Sequence, residues 1–300
     1  MRFAIRDDDV NYHFSEQFLA DSLDGISNIC PVTLAVVPWY QGNWKQNIEL
    51  FESLGSAGLT DEVIQAIKQD KDIYRIDDNQ ALMQYLTQEL EAGRVSIAQH
   101  GIYHQNHDTV VPKFAKNFGI GAEFYTTCDL SDELSLSNKY LNGVFDCDVV
   151  FFTPPQNLLS EKGLDALLSN DMSVCGYLPS AKNYGLFRKY FSTVNFLRVF
   201  KHQLLNRKTK RPYPHAIKFG EGYFIEHVCL QPSTSIDEIK DAIDFVAKKG
   251  GDFVLSTHTY GFNHKMSNSD KTMKEALVDL LEYVQTNHDV KFVAMNEILR

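Results

Sequence analysis

No apolar run in the 300 residues approaches the roughly 18–20 needed to cross a bilayer, so a transmembrane anchor is not expected. The N-terminus enters a strand-like RFAIR at once, with no basic stretch leading into an apolar one, and no secretory signal is expected either. Five cysteines, Cys30, Cys128, Cys147, Cys175 and Cys229, are odd in number, scattered and without a C-x-x-C pair. They do not make a disulfide framework; reduced thiols, most of them core filler, in a cytoplasmic protein fit better. No repeat, low-complexity tract or Pro/Gly-rich linker interrupts the chain, and one domain over residues 1–300 is expected. A formal net charge of −10 denies the chain the basic footprint of a general nucleic-acid binder.

Acid is missing from one stretch altogether. Between Met172 and Gly220 there is no Asp or Glu, while Lys182, Arg188, Lys189, Arg198, Lys201, Arg207, Lys208, Lys210, Arg211 and Lys218 give that window +10 and leave −20 on the other 251 residues. Such asymmetry suits a surface that meets something anionic, a substrate or the face of a membrane touched peripherally; a solvated basic face is the alternative.

What is present is a hydrophobic content of 44%, enough for a large core, in short β-branched runs alternating with segments of helical period. Strands are expected at 2–6, 31–37, 94–99, 148–153, 172–177, 223–230, 252–257 and 290–295. Helices are expected in TDEVIQAIKQD, capped by Thr60; in DDNQALMQYLTQELEAG, from Asp78 to a terminating Gly93; and in SEKGLDALLSND, TSIDEIKDAIDFVAKKGG and KTMKEALVDLLEYVQTN. This alternation implies an α/β fold, a (β/α) barrel of seven or eight parallel strands, with a partly helical basic insertion at about 178–222.

Sites in such folds form at the carboxyl ends of strands. Here those ends read DDD, PWY, HGIYH, TPPQN and THTYG. Three adjacent aspartates repel one another unless a positive charge sits among them. His100 and His104 are four apart; on a helical turn both imidazoles would share one side and could chelate a divalent ion, with a carboxylate from elsewhere completing a three-ligand site. The ion would also explain how adjacent carboxylates ionise.

These residues resemble the polysaccharide deacetylases with a NodB-like domain. Arg6-Asp7-Asp8-Asp9-Val10 is similar to the first motif of the branch that carries Arg-x-Asp-Asp, His100 and His104 to the second, and Leu255 with His258 to the late Leu-x-x-His-Pro. The resemblance implies a distorted, NodB-like barrel, a divalent metal ion, most simply Zn²⁺, on Asp9, His100 and His104, Asp8 as general base and His258 as general acid. It implies a hydrolase that removes an acetyl group from an N-acetylated sugar or polysaccharide precursor through metal-activated water. Thr259 replaces the usual Pro, and FFTPPQN keeps Pro154 and Pro155 of the third motif without its Arg, the residue that orients the base; Arg6 is a candidate for that role. Asp7 is expected to point into helix caps or solvent.

Trp39, Tyr40, Pro155 and Tyr260 are candidates for substrate binding, Trp39 and Tyr40, like Trp44, by stacking on a sugar ring; covering the barrel mouth is the structural alternative. His227, inside an apparent strand, reads as a hydrogen-bonded core histidine. Arg75-Ile76-Asp77-Asp78 repeats Arg-x-Asp-Asp, but no apolar strand precedes it and a helix follows, so Asp78 is expected as an N-cap with Asp77 beside the helix dipole. Two other functions stay open: hydrolysis of a small non-sugar amide, and a non-catalytic binding protein on the same fold.

Overall fold

A computed structural model of the chain describes residues 1–54, 60–108, 120–178 and 189–299. Its centre is β1 (Arg2–Val10), which is buried on both faces and pairs in parallel with β2 (Val32–Val36) on one side and β11 (Asp252–Thr257) on the other. Beyond β2 come β5 (Val95–His100), β6 (Phe151–Thr153) and β7 (Ser173–Cys175), each parallel to its neighbour. β7 pairs with β9 (Gly222–Ile225), while β10 (Val228–Cys229) pairs with β11. β9 and β10 are two halves of one run, broken at Glu226–His227, so the sheet that starts at β10 and ends around β9 closes on itself through a single stretch of chain. The result is a parallel barrel with seven staves, distorted where that stave breaks. β8 (Ile217–Phe219) adds an antiparallel edge beside β9. β3 (Trp39–Gln41) and β4 (Ile73–Arg75) form a separate antiparallel pair near the mouth.

The lumen is packed, not open. Ala4, Ala35, Ala98, Phe151, Cys175, Ile225 and Val254 form one layer, one residue from each stave, and Val293, Met295 and Ile298 from the C-terminal segment pack against it. Small residues on β1, β2 and β5 face larger ones across the ring, a combination that suits a narrow, filled barrel. The outward residues of β1, Phe3 and Ile5, belong instead to the core under the helices. That core takes the buried faces of α8 (Ile236–Lys248) and α9 (Met273–Asn287), two of the helices expected from the sequence.

Helix starts follow side-chain caps: Thr60 accepts from Val63 N, Ser160 from Gly163 N, Ser235 from Glu238 N, and Thr272 makes a reciprocal capping box with Glu275. The cap before α4 (Gln80–Glu91) is Asn79, not Asp78; Asp77 instead holds Arg75 bidentately within a short 3₁₀ turn. Gly93, just past the end of α4, adopts φ +68° as expected of a terminator. Within the basic segment, α7 (Thr193–Leu205) forms as expected. The 179–188 part of that segment lies outside the described residues. Strand bounds differ most at the ends: β1 runs on through all three aspartates, and 290–295 shortens to Lys291–Phe292 on the flank of β1. All five cysteines are free, but only Cys30 and Cys175 are buried, so core filler describes two of them.

Candidate active site

In a regular strand, neighbouring side chains point to opposite faces. On β1 this puts Ala4, Arg6 and Asp8 towards the lumen and Phe3, Ile5 and Asp7 outwards. The register between β1 and β2 then shifts between Asp7 and Val10, and Asp9 takes φ +72°. This bulge turns Asp9 to the mouth beside Asp8, which the strand period alone forbids. The backbone conformation is one that non-glycine residues rarely adopt, and it recurs at His104 (φ +56°), Gln156 (φ +56°) and Asn157 (φ +54°) around the same mouth.

Asp9 meets both histidines. Its Oδ1 lies 3.0 Å from His100 Nε2 and 3.0 Å from His104 Nε2. One ligand atom from each of the three side chains falls within 4.8 Å of the others. The fit to a cation is chemical as well as geometric. His100 Nδ1 is 3.0 Å from the carbonyl of Thr153, which can only accept, so in the neutral ring the proton sits on Nδ1 and Nε2 is the nitrogen left to ligate a cation. His104 Nε2 is buried beside the same Asp9 oxygen; burial lowers the pKa of His104, but the Asp9 carboxylate more than reverses this. A carboxylate oxygen and two imidazole nitrogens gathered in this way fit a cation between them. Burial raises the pKa of Asp9, but the two imidazoles outweigh it and hold the carboxyl well below the usual carboxylate range.

The His-x-x-x-His segment is not a helical turn. It is an irregular loop, with Gly101 at φ +67°. What shapes it is Glu123, a buried residue that sequence reasoning missed: its carboxylate accepts from the backbone N–H of Ile102 (2.7 Å), Tyr103 (2.9 Å) and His104 (3.2 Å). A Cβ on Gly101 would lie 2.3 Å from Glu123 Oε2 and 2.6 Å from Pro155 Cγ, so only glycine lets the carboxylate reach the loop. Burial pushes Glu123 up to about 7 against the pull of its three amide partners. A lone Glu in GIGAEFY carries no signal of this duty.

Asp8 stands apart from the cluster and is held by Arg6. Arg6 is fully buried, and Nη2 donates to Asp8 Oδ2 at 2.6 Å. It also donates to the carbonyl of Cys175 (2.9 Å), His227 Nδ1 (3.0 Å) and Asn157 Oδ1 (3.4 Å). Burial lowers the Arg6 pKa, but the Asp8 charge more than restores it, and the guanidinium stays protonated. Arginine thus does reach the second aspartate, supplied from two residues upstream rather than from the third motif. Asp8 Oδ1 is buried with no partner among the described residues. Arg6 can only donate, so His227 Nδ1 accepts and the ring proton lies on Nε2, which is itself unpartnered. Burial, with Arg6 next to it, holds His227 far below the ordinary histidine pKa and keeps it neutral.

Asp7 does not face solvent. It is fully buried and accepts from the Thr259 backbone N–H at 2.7 Å and its hydroxyl at 3.1 Å. Burial, then the neighbouring Asp8, pushes its pKa well above the usual range. Thr259 therefore carries two donors that a proline in its place would lack, and it ties the end of β11 to β1. This fixes the stretch that bears His258, whose Nε2 lies 3.7 Å from Asp9 Oδ2. Tyr260 donates to the same oxygen at 3.3 Å.

The other candidates fall around this centre. Tyr40 is buried and stacks against His104 (centroids 5.9 Å, 23° between planes). Trp39 is half-buried between Tyr103 and Tyr140, and Trp44 is a core residue against Phe14. Pro155 is buried against Gly101.

No protein-family model and no curated protein matches the chain. Among solved structures it is similar to a Mycobacterium smegmatis protein assigned to the polysaccharide deacetylases (12% identity, TM-score 0.49, covering 99% of this chain and 88% of that one). It is also similar to a CE4 family pseudoenzyme from Bacillus anthracis (11%, TM-score 0.43, 100% and 65%). A third is a family 4 acetyl xylan esterase from Clostridium thermocellum in complex with cobalt (12%, TM-score 0.43, 100% and 90%).

Proposed function

We propose that the protein is a hydrolase of carbon–nitrogen bonds other than peptide bonds, removing the acetyl group from an N-acetylated sugar or polysaccharide precursor. One observation carries the reading: at a single barrel mouth, Asp9 is committed to two imidazoles while the adjacent Asp8 keeps one oxygen free. The motif resemblance of Arg6–Val10, His100, His104 and His258 points the same way. A divalent cation, most simply Zn²⁺, held by Asp9, His100 and His104 would supply Lewis acidity, making water a stronger acid and polarising a carbonyl.

The remaining groups divide the proton work. Arg6 fixes Asp8 through Oδ2, which leaves Oδ1 to take a proton from water as the water oxygen bonds to the amide carbon. His258, on the opposite side of Asp9 from the ligand pair in sheet order, then gives a proton to the nitrogen as the C–N bond breaks, and acetate and a free amine leave. Tyr260 steadies the outer oxygen of Asp9. Tyr40, Trp39 and Pro155 line the approach. The free thiols fit a reducing compartment such as the cytoplasm.

The test is acetate release by metal-replete protein from a panel of N-acetyl sugars, with small amides as a second arm and Asp8→Asn as the control. Acetate from the sugars, absent in the control, is expected. Rates no higher than those of Asp8→Asn on every substrate would overturn the assignment.

A further inference from the structure

The basic segment carries an apolar face that the barrel does not use. On α7, Val199 is 1% exposed and docks into the core, whereas Val194 (58%), Leu197 (56%), Leu204 (61%) and Leu205 (73%) turn outwards. Their spacing of three, seven and one residues sets all four on one side of the helix. Arg198 and Lys201 are exposed on that same side, and Arg207, Lys208 and Lys210 are exposed in the turn that follows. Among the described residues these five cations have no carboxylate partner; Lys189 and Lys218, by contrast, pair with Glu161 and Glu221. No acid lies anywhere between Met172 and Gly220, although the rest of the chain carries −20.

We infer that α7 and the turn after it dock the protein onto an anionic phospholipid surface. Three features select that occupant. Cations stand inside the aliphatic stripe, not only at its rim; a protein partner's core would have to bury Arg198 and Lys201, whereas at a bilayer interface their stems lie along the acyl boundary and their heads reach the phosphates. The uncompensated charge is complementary to anionic headgroups. A second copy of the chain would set this positive face against itself. No helix among the described residues is long and apolar enough to cross a membrane, so the contact is peripheral, with α7 lying in the interface plane. It is independent of the proposed chemistry.

The experiment is co-sedimentation of the full chain with vesicles of phosphatidylcholine containing about a third phosphatidylglycerol, and with pure phosphatidylcholine, at low and high salt. Binding to the anionic vesicles is expected, weakening with salt and near background on phosphatidylcholine. Two surface variants separate the components: Arg198→Glu with Lys201→Glu, and Leu197→Ser with Leu204→Ser, each verified as folded by its thermal transition. Each is expected to lower the partition coefficient roughly tenfold or more, through lost charge in one and lost apolar insertion in the other. Equal binding to both vesicle types, no binding to either, or a Leu197→Ser/Leu204→Ser protein that partitions like the parent overturns the inference. So does a concentration-dependent dimer that the leucine variant abolishes, which would make the face a subunit interface.

Discussion

Asp7, Asp8 and Asp9 are chemically identical neighbours with three different duties, and the environment of each assigns them. Asp7, turned outwards and fully buried, is matched to the two donors of Thr259. Asp8 has one oxygen locked to Arg6 and one free, and Asp9 is shared between two histidines. Asp8→Asn keeps the shape but cannot take a proton; turnover is expected to fall by roughly 10²–10⁴ while metal content, read by elemental analysis, stays near that of the parent. Retained activity would remove Asp8 from the mechanism. Thr259→Pro deletes both donors and leaves Asp7 buried without partners, so a loss of about 1–3 kcal/mol in urea unfolding is expected, with Thr259→Ser close to the parent. An unchanged midpoint in Thr259→Pro would mean that Asp7 is stabilised by something else. The triplet and Thr259 were both visible in the sequence. That one answers the other was not, because 252 positions separate them.

At the scale of elements, the metal-facing loop is held by a carboxylate from another loop. Glu123 accepts three successive backbone amides, and Gly101 leaves room for it. Gly101→Ala is expected to lower both stability and metal affinity, since its Cβ meets Glu123 and its φ of +67° is strained for alanine. Titration of the bound metal against a competing chelator reads the affinity; parent-like values would show the loop free to adjust. The Glu123 pKa is raised to about 7, so the fold favours its protonated form. Its contribution to stability is therefore fully present below the ordinary Glu range and lost as pH rises through about 7. Thermal melts of parent and Glu123→Gln between pH 4.5 and 8 should diverge in that window, the parent losing more stability on the alkaline side; parallel curves would refute the linkage. The i, i+4 histidine spacing was legible, but the helical turn it suggested was wrong. The spacing says nothing of Glu123, whose pull on three amides sets the loop.

At the scale of the molecule, Asp9 and His100 are 91 positions apart and meet only when β1, β2 and β5 pair in register. An ion on Asp9, His100 and His104 therefore binds the folded chain far better than the unfolded one, and excess at a hundred times Kd is worth about 2.7 kcal/mol. Zinc is expected to raise Tm by several degrees, a shift abolished by a chelator and missing in His104→Ala. An equal rise in His104→Ala would place the ion elsewhere. The same closure decides the lumen: one residue from each stave packs into a layer below Arg6, so the base and its arginine rest on a filled floor.

Sequence by itself determined the α/β alternation, the Thr60 cap, the polar strand ends and the identities of Asp8, Asp9, His100, His104 and His258 as chemical candidates. These follow from local rules, since hydrophobic period, cap chemistry and residue type act over a few positions. Tertiary structure alone decided the closure through a stave broken at Glu226–His227, the bulge that turns Asp9 beside Asp8, the Asp7–Thr259 and Glu123 ties, and the outward face of α7. Each of these depends on which distant groups become neighbours, and burial makes them matter: inside the barrel an unmatched donor or charge is costly, so the partner found there sets the geometry.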